Sequence, residues 1–202
     1  MRFRRRCEVD EFAHDGEWMT GWRYRRAVLA LRAGGIVAYP TEAVYGIGCD
    51  PWDRAAVARV FAVKHRPERK RCIVIAAHPS QLDRLVDVHA RQFTRFASRY
   101  WPGPVTLVVP ACDRAPEWLV DADGTVATRV TNHPVAGGLC ASFRGPLIST
   151  SANRAGRPPL RDVFSVRVAF GTEIDWYVPG RVGGLDSPTR IIDVRDGRMI
   201  RS

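Results

Sequence analysis

The sequence is almost devoid of lysine. Of its 31 Lys and Arg residues only Lys64 and Lys70 are lysines, and every other one is an arginine. Paired cysteine motifs are missing as well: Cys7, Cys49, Cys72, Cys112 and Cys140 are odd in number, widely spaced and form no CxxC pair. That excludes a zinc knuckle and a dithiol redox pair, and it predicts a reduced, cytoplasmic chain. No apolar run reaches the ~18 residues a membrane-spanning helix needs, so no membrane partner is expected. The basic opening MRFRRRCEVDEF has no apolar stretch and is interrupted by Glu8, Asp10 and Glu11, so it does not read as a signal peptide. A GxxxxGK(S/T) phosphate loop, GxGxxG, HExxH and GxSxG are all missing. Any nucleotide chemistry therefore needs a less familiar site.

What is present is a chain of 202 residues, 46% hydrophobic and 26% charged, long enough for one domain with a proper core. Its formal net charge of +10 favours polyanionic partners: nucleic acid, nucleotides or an anionic surface. Charge alone does not decide, because genome base composition also raises arginine. Residues 1–20 read as an arm and 21–202 as one domain. WRYRRAVLALRAGG predicts a helix that buries Val28, Leu29 and Leu31 and stops at Gly34-Gly35. IVAYP follows as a strand. DRAAVARVFAVKHR predicts a second helix, with Val57, Val60, Phe61 and Lys64 on one face and Pro67 as its stop. CIVIAA, PVTLVVPA, TVATRV, PLIST and IDWYV predict strands, while PSQLDRLVD, ARQFTRFASRYW and DVFSVRVAF predict helices. TRIIDVRDGRMIR predicts a hairpin turning at Asp196-Gly197. Alternating strands and helices imply an α/β domain, and the hairpin makes its sheet mixed.

Four stretches carry candidate chemistry. Lys64, Arg66 and Lys70 cluster at a helix end and in the loop after it. Cations there complement the helix dipole, but arginine would serve that purpose equally. Retained lysine points to a need for a compact ammonium, which suits phosphate. In YPTEAVYGIGCD, Thr41 and Glu42 open a loop holding Gly46 and Gly48, and a hydroxyl and a carboxylate at a strand end are placed to meet a ligand. The competing reading makes Thr41 a helix cap. In LISTSANRAGRPP, Ser149, Thr150, Ser151 and Asn153 follow an apolar strand, either around a small polar ligand or in local turns. WPGPVTLVVPA reads as a rigid turn before a strand.

In this order, YPTEAVYGIG, KHRPERK, WPGPVTLVV, VATRVTNHPVA, STSANRAGRPP and SPTRIIDV resemble the YrdC-like family of threonylcarbamoyl-AMP synthases, over residues 25–201. Thr150 stands where that family usually has proline before Ser-Ala-Asn. The resemblance implies a twisted mixed sheet with helices outside and a concave basic face, in the short, TsaC-type form without a further C-terminal domain. It implies an enzyme that joins L-threonine, bicarbonate and ATP into threonylcarbamoyl-adenylate and releases pyrophosphate. Partner proteins then use that product to modify tRNA beside the anticodon, and direct tRNA or RNA contact is possible. By the same resemblance Thr41, Arg129, Ser149 and Thr189 contact threonine. Arg66, Lys70, Thr125, Ser151, Asn153 and Arg201 contact ATP, and Lys64 and Arg66 are the catalytic pair.

The chemistry of these residue types agrees. Threonine and bicarbonate form a carbamate whose oxygen attacks the α-phosphorus, and such transfer rests on positioning and charge neutralisation. Mg2+ is expected to be held through the phosphates, since no carboxylate pair is placed to cage a metal. No covalent nucleophile is expected. Two other readings share some features. A non-catalytic RNA-binding module of the ribosome-maturation type fits the charge. The related domain of hydrogenase-maturation carbamoyltransferases occurs within much longer chains that carry CxxC modules.

Overall fold

The computed structural model describes residues 21–65 and 72–201. The arm over residues 1–20, and with it Cys7, lies outside the described residues, as do Arg66 and Lys70. The helices are α1 (Gly21–Arg32), α2 (Arg54–Val63), α3 (Arg91–Tyr100), α4 (Pro134–Phe143) and α5 (Val163–Phe170). The strands are β1 (Val37–Pro40), β2 (Tyr45–Gly48), β3 (Ile73–Ala76), β4 (Val105–Pro110), β5 (Thr125–Val130), β6 (Leu147–Ser151), β7 (Trp176–Tyr177), β8 (Arg190–Asp193) and β9 (Met199–Arg201). They form one sheet in the order β7-β1-β2-β6-β3-β5-β4-β8-β9. The pairs β1/β7, β3/β5 and β4/β8 are parallel and the others antiparallel, so the sheet is mixed as expected.

Helices cover both faces. Ala27, Val28 and Leu31 of α1 pack with Val135, Ala136 and Leu139 of α4 against Val37, Tyr39, Ile75 and Leu147. On the other face Val57, Val60 and Phe61 of α2, Phe93 and Ala97 of α3, and Val166 and Phe170 of α5 pack on Ala38, Ile47, Val74 and Leu107. Burial on both sides explains why β1 and most of β4 read as continuous apolar runs rather than alternating ones.

Several local expectations are corrected. Leu29 is 62% exposed, because at about 100° per residue Ala27, Val28 and Leu31 already fill the buried face of α1. Gly46 and Gly48 lie in strand β2, not in a loop. A Cβ on Gly48 would stand 1.9 Å from the Ile148 carbonyl oxygen, so β2 and β6 approach too closely for any side chain there. Thr41 caps no helix: its hydroxyl and its N–H both donate to Val44 O, closing the turn between β1 and β2. PSQLDRLVD shortens to one 3-10 turn over Pro79–Leu82. Helix α2 ends at Val63 with Lys64 as its C-cap, before Pro67, because His65 turns to φ 51°. Helix α4 has no counterpart among the predicted elements. Its Gly137-Gly138 pair disfavours helix in isolation, yet a Cβ on Gly138 would meet Tyr24 Oη at 2.5 Å, so the glycine lets α1 and α4 pack.

Candidate active site

The turn after β1, the start of β2 and the end of β6 meet beside the C-terminal end of β5. The register places Gly46 opposite Ser151 and Ile47 opposite Thr150, which brings the YPTEAVYG and STSAN stretches together. They enclose a cavity of about 160 Å3 lined by Thr41, Tyr45, Arg129, Ser149, Ser151 and, across it, Thr189 and Arg201, among others. Gly46 keeps it open, since a Cβ there would stand 3.2 Å from both Ser149 Oγ and Thr41 Cγ2. The volume falls below the ~300–1,000 Å3 of drug-sized pockets and suits an amino-acid-sized group. A second cavity of about 450 Å3 borders Asn153, Arg154, Arg157, Leu160 and Phe170.

Charge in the small cavity centres on Thr189. Arg129, only 4% exposed, donates through Nη1 to Thr189 Oγ1 at 2.9 Å. Arg201 donates through Nε and Nη2 to Thr189 O at 3.0 and 2.6 Å, and through Nη2 to Thr189 Oγ1 at 3.4 Å. Burial, then the neighbouring Arg129 charge, lowers the Arg201 pKa from its ordinary value. Thr189 Oγ1 thus accepts from two guanidinium groups, and its own proton remains to be donated. Among the described residues the carboxylate beside these groups is Glu42, buried behind Arg129. Its Oε2 lies 3.3 Å from Arg129 Nη2, and its Oε1 accepts from Thr131 Oγ1 at 2.6 Å. Among the described residues two guanidinium groups stand against one carboxylate, an arrangement suited to anions.

A strap over residues 178–189 closes one side. Gly183 N–H donates to Thr41 O at 2.9 Å, Leu185 N–H to Glu42 O at 3.2 Å, and Tyr45 Oη–H to Gly180 O at 2.7 Å. A Cβ on Gly183 would meet Glu42 O at 2.6 Å, so the close approach requires glycine. His133 holds the strap at Arg181 O, 3.0 Å from Nε2, while its Nδ1 accepts from Ala136 N–H, which makes Nε2 the donor. Burial lowers the His133 pKa from its ordinary value.

Lys64 is 3% exposed and absent from the lining of the small cavity. Its ammonium donates to Ser151 O, to Asn153 O at 2.8 Å and to Asn153 Oδ1 at 3.3 Å. Asn153 Oδ1 also accepts from Ser151 Oγ at 2.6 Å. Arg154 Nη1 and Ala155 N–H in turn donate to Val63 O and Lys64 O, so the loop after β6 caps the end of α2. Lys64 therefore organises the STSAN turn from below. Thr125 stands apart: it opens β5, four residues and about 13 Å along the strand from Arg129, and its hydroxyl donates to Asp123 Oδ1 at 2.6 Å. Six expected residues thus meet in one cavity, Thr41, Arg129, Ser149, Ser151, Thr189 and Arg201. Sequence reasoning missed Thr131, His133 and the strap. It singled out Glu42 only as a carboxylate beside Thr41, with no sign of Arg129 as its partner.

The sheet and this anion-accepting pocket at its strand ends define an α/β small-ligand protein without a phosphate loop. The Sua5/YciO/YrdC family model, described as "Telomere recombination", matches residues 29–202, and the chain belongs to that family. The chain is 52% identical over 180 residues to a threonylcarbamoyl-AMP synthase of Halorhodospira halophila, covering 89% of this chain and 94% of that protein. The crystal structure of P. abyssi Sua5 complexed with L-threonine superposes with a TM-score of 0.81 at 33% identity. It matches 88% of this chain, which spans only 52% of the Sua5 chain. E. coli YciO shares the fold, with a TM-score of 0.78 at 24% identity over 89% of this chain and 88% of its own.

Proposed function

We infer that the protein is a threonylcarbamoyl-AMP synthase, forming threonylcarbamoyl-adenylate and pyrophosphate from L-threonine, bicarbonate and ATP. The observation that carries this reading is the convergence of Thr41, Arg129, Ser149, Ser151, Thr189 and Arg201 on one amino-acid-sized, anion-accepting cavity. The names and the L-threonine complex of its relatives support it. The substrate amine adds to bicarbonate with loss of water, giving a carbamate. A carbamate oxygen then forms a bond to the α-phosphorus as the bond to pyrophosphate breaks. Arg129 receives the threonine carboxylate, and Thr41, Ser149 and Thr189 orient the rest of the molecule. Arg201, Ser151 and Asn153 face the nucleotide, for which the larger cavity beside Asn153 has the room. Arg66 and Lys70 add positive charge towards the departing pyrophosphate, while Lys64 holds the turn that carries Ser151 and Asn153. Thr125, which opens β5 with its hydroxyl on Asp123, is given no direct role in this scheme.

Mg2+ would come with the triphosphate, whose phosphates would hold it. Among the described residues no group of three or more His, Cys, Asp or Glu is arranged to hold a metal ion. The product is passed to partner proteins that modify tRNA next to the anticodon, which places the enzyme in the cytoplasm. None of the described helices is long and apolar enough to cross a membrane.

Direct RNA contact is a second reading, and α3 favours it. Arg91, Arg95 and Arg99 recur every fourth residue on its exposed side, and the helix contains no acidic residue. The test of the main reading is pyrophosphate release from ATP with and without L-threonine and bicarbonate. Release that needs both supports the synthase, and release indifferent to threonine refutes it. Salt-sensitive RNA binding without turnover would favour a non-catalytic RNA module instead.

A further inference from the structure

We propose that Glu42 is a positioning residue for the amino-acid substrate: from behind the cavity it holds the Arg129 guanidinium in the orientation that receives the substrate carboxylate. This rests on the synthase reading and on Arg129 as the carboxylate partner. Glu42 is 7% exposed and does not line the cavity, so it acts through another residue. Two side chains fix the Arg129 fork. Thr189 Oγ1 takes Nη1 at 2.9 Å, and Glu42 Oε2 stands 3.3 Å from Nη2. Thr189 uses one N–H of the five that the fork carries, so Arg129 keeps donors for a carboxylate while Nε stays buried without a hydrogen bond. A planar fork discriminates through the direction of its donors. Whatever sets its rotation sets its affinity for the ligand.

Glu42 is itself fixed on three sides. Its Oε1 accepts from Thr131 Oγ1 at 2.6 Å. Thr131 Oγ1 accepts from His133 N–H at 3.1 Å, so its own proton is committed to Glu42. The Glu42 carbonyl holds Leu185 N–H of the strap at 3.2 Å. Glu42 Oε2 makes no aligned hydrogen bond with Arg129 and serves as a counter-charge beside the fork. One buried residue therefore joins the β1–β2 turn to the end of β5 through its carboxylate and to the strap through its main-chain carbonyl, and Arg129 sits where they meet.

The test is steady-state kinetics of pyrophosphate release by Glu42→Gln, Glu42→Asp and Thr131→Val. Glu42→Gln is expected to raise KM for L-threonine about tenfold or more, with kcat within about threefold and KM for ATP within about twofold of wild type. L-Serine, used as an alternative substrate, should lose kcat/KM by the same factor, because it shares the carboxylate and not the methyl group. Glu42→Asp should recover part of the loss. Thr131→Val keeps the charge but frees the carboxylate, and it should show the same pattern at smaller size, even if Glu42→Gln fails to fold. Equal damage to threonine, ATP and turnover would make Glu42 a fold element only and overturn the proposal, as would unchanged KM for threonine. Wild-type protein that releases pyrophosphate without regard to threonine would refute the synthase reading itself, an outcome distinct from a normal Glu42→Gln.

Discussion

Replacing Lys64 by methionine keeps an unbranched apolar chain as far as Cε, with sulfur at the δ position, and removes the ammonium. In the folded protein that ammonium supplies Ser151 O, Asn153 O and Asn153 Oδ1. Asn153 Oδ1 retains Ser151 Oγ as a donor. Ser151 O and Asn153 O each lose a charge-assisted bond worth about 1.5–3 kcal/mol, for a gross loss of ~3–6 kcal/mol. Relief from burying an ammonium offsets part of this, leaving a net loss of about 2 kcal/mol. For a chain of this size that lowers the melting temperature by roughly 4–8 °C. Lys64→Arg should also destabilise, by about 1–3 kcal/mol, because the larger planar group overpacks a site that is 3% exposed. Both variants should lose pyrophosphate release well below their own melting temperatures, since the turn carrying Ser151 and Asn153 is no longer held. Thermal unfolding by circular dichroism and the pyrophosphate assay check the two parts separately. A Lys64→Met protein that melts within about 1 °C of wild type would refute the hydrogen-bond account. A stable Lys64→Arg protein with full turnover would refute the need for an ammonium.

His133 predicts the direction of a pH effect. Its folded pKa lies below the ordinary 6.5 through burial, so as pH falls below 6.5 the unfolded chain takes up a proton that the folded protein resists. This contribution to stability is intact above 6.5, falls through the window down to the folded pKa and then levels off. Melting temperatures measured from about pH 7.5 to about pH 5 should show the slope, and His133→Gln should reduce it. Gly183→Ala places a Cβ 2.6 Å from Glu42 O and must push the strap away. It should raise KM for L-threonine several-fold while costing about 1–3 kcal/mol of stability. Thr125→Val removes the bond to Asp123 at a distance from the cavity, and it should leave both KM values within about twofold of wild type.

Legibility in the sequence followed how local each cause was. Helix α2 was readable because Val57, Val60, Phe61 and Lys64 recur on one face, and all four are buried. The hairpin of β8 and β9 was readable because Gly197 supplies the φ of 74° its turn needs. Helix α4 was not, because its Gly-Gly pair makes sense only against Tyr24 of α1. The polar lining of the cavity was legible as hydroxyl groups placed just after apolar strands. The contact between Thr131 and Glu42 was not, since 89 residues separate them and nothing in either segment names its partner. The strap was equally hidden, because its hold on Thr41 and Glu42 runs through main-chain groups that every sequence possesses.

The retention of lysine at position 64 has a physical explanation. Arginine spreads five donors over a rigid plane and suits two-pronged partners. Arg129 and Arg201 are used that way, converging on Thr189 from two directions. Three of the oxygens around Lys64 belong to Ser151 and Asn153, two positions apart, and converge on a single point. Only a compact group with three donors on one atom can serve them together. That makes the lysine a consequence of the STSAN turn rather than of the helix end, where any cation would do. The same turn presents Ser151 to the small cavity and Asn153 to the large one, so one buried ammonium fixes the boundary between the two. A synthase that must bring a carbamate and a nucleotide into register needs that boundary to be rigid, and an arginine in the same space would move it.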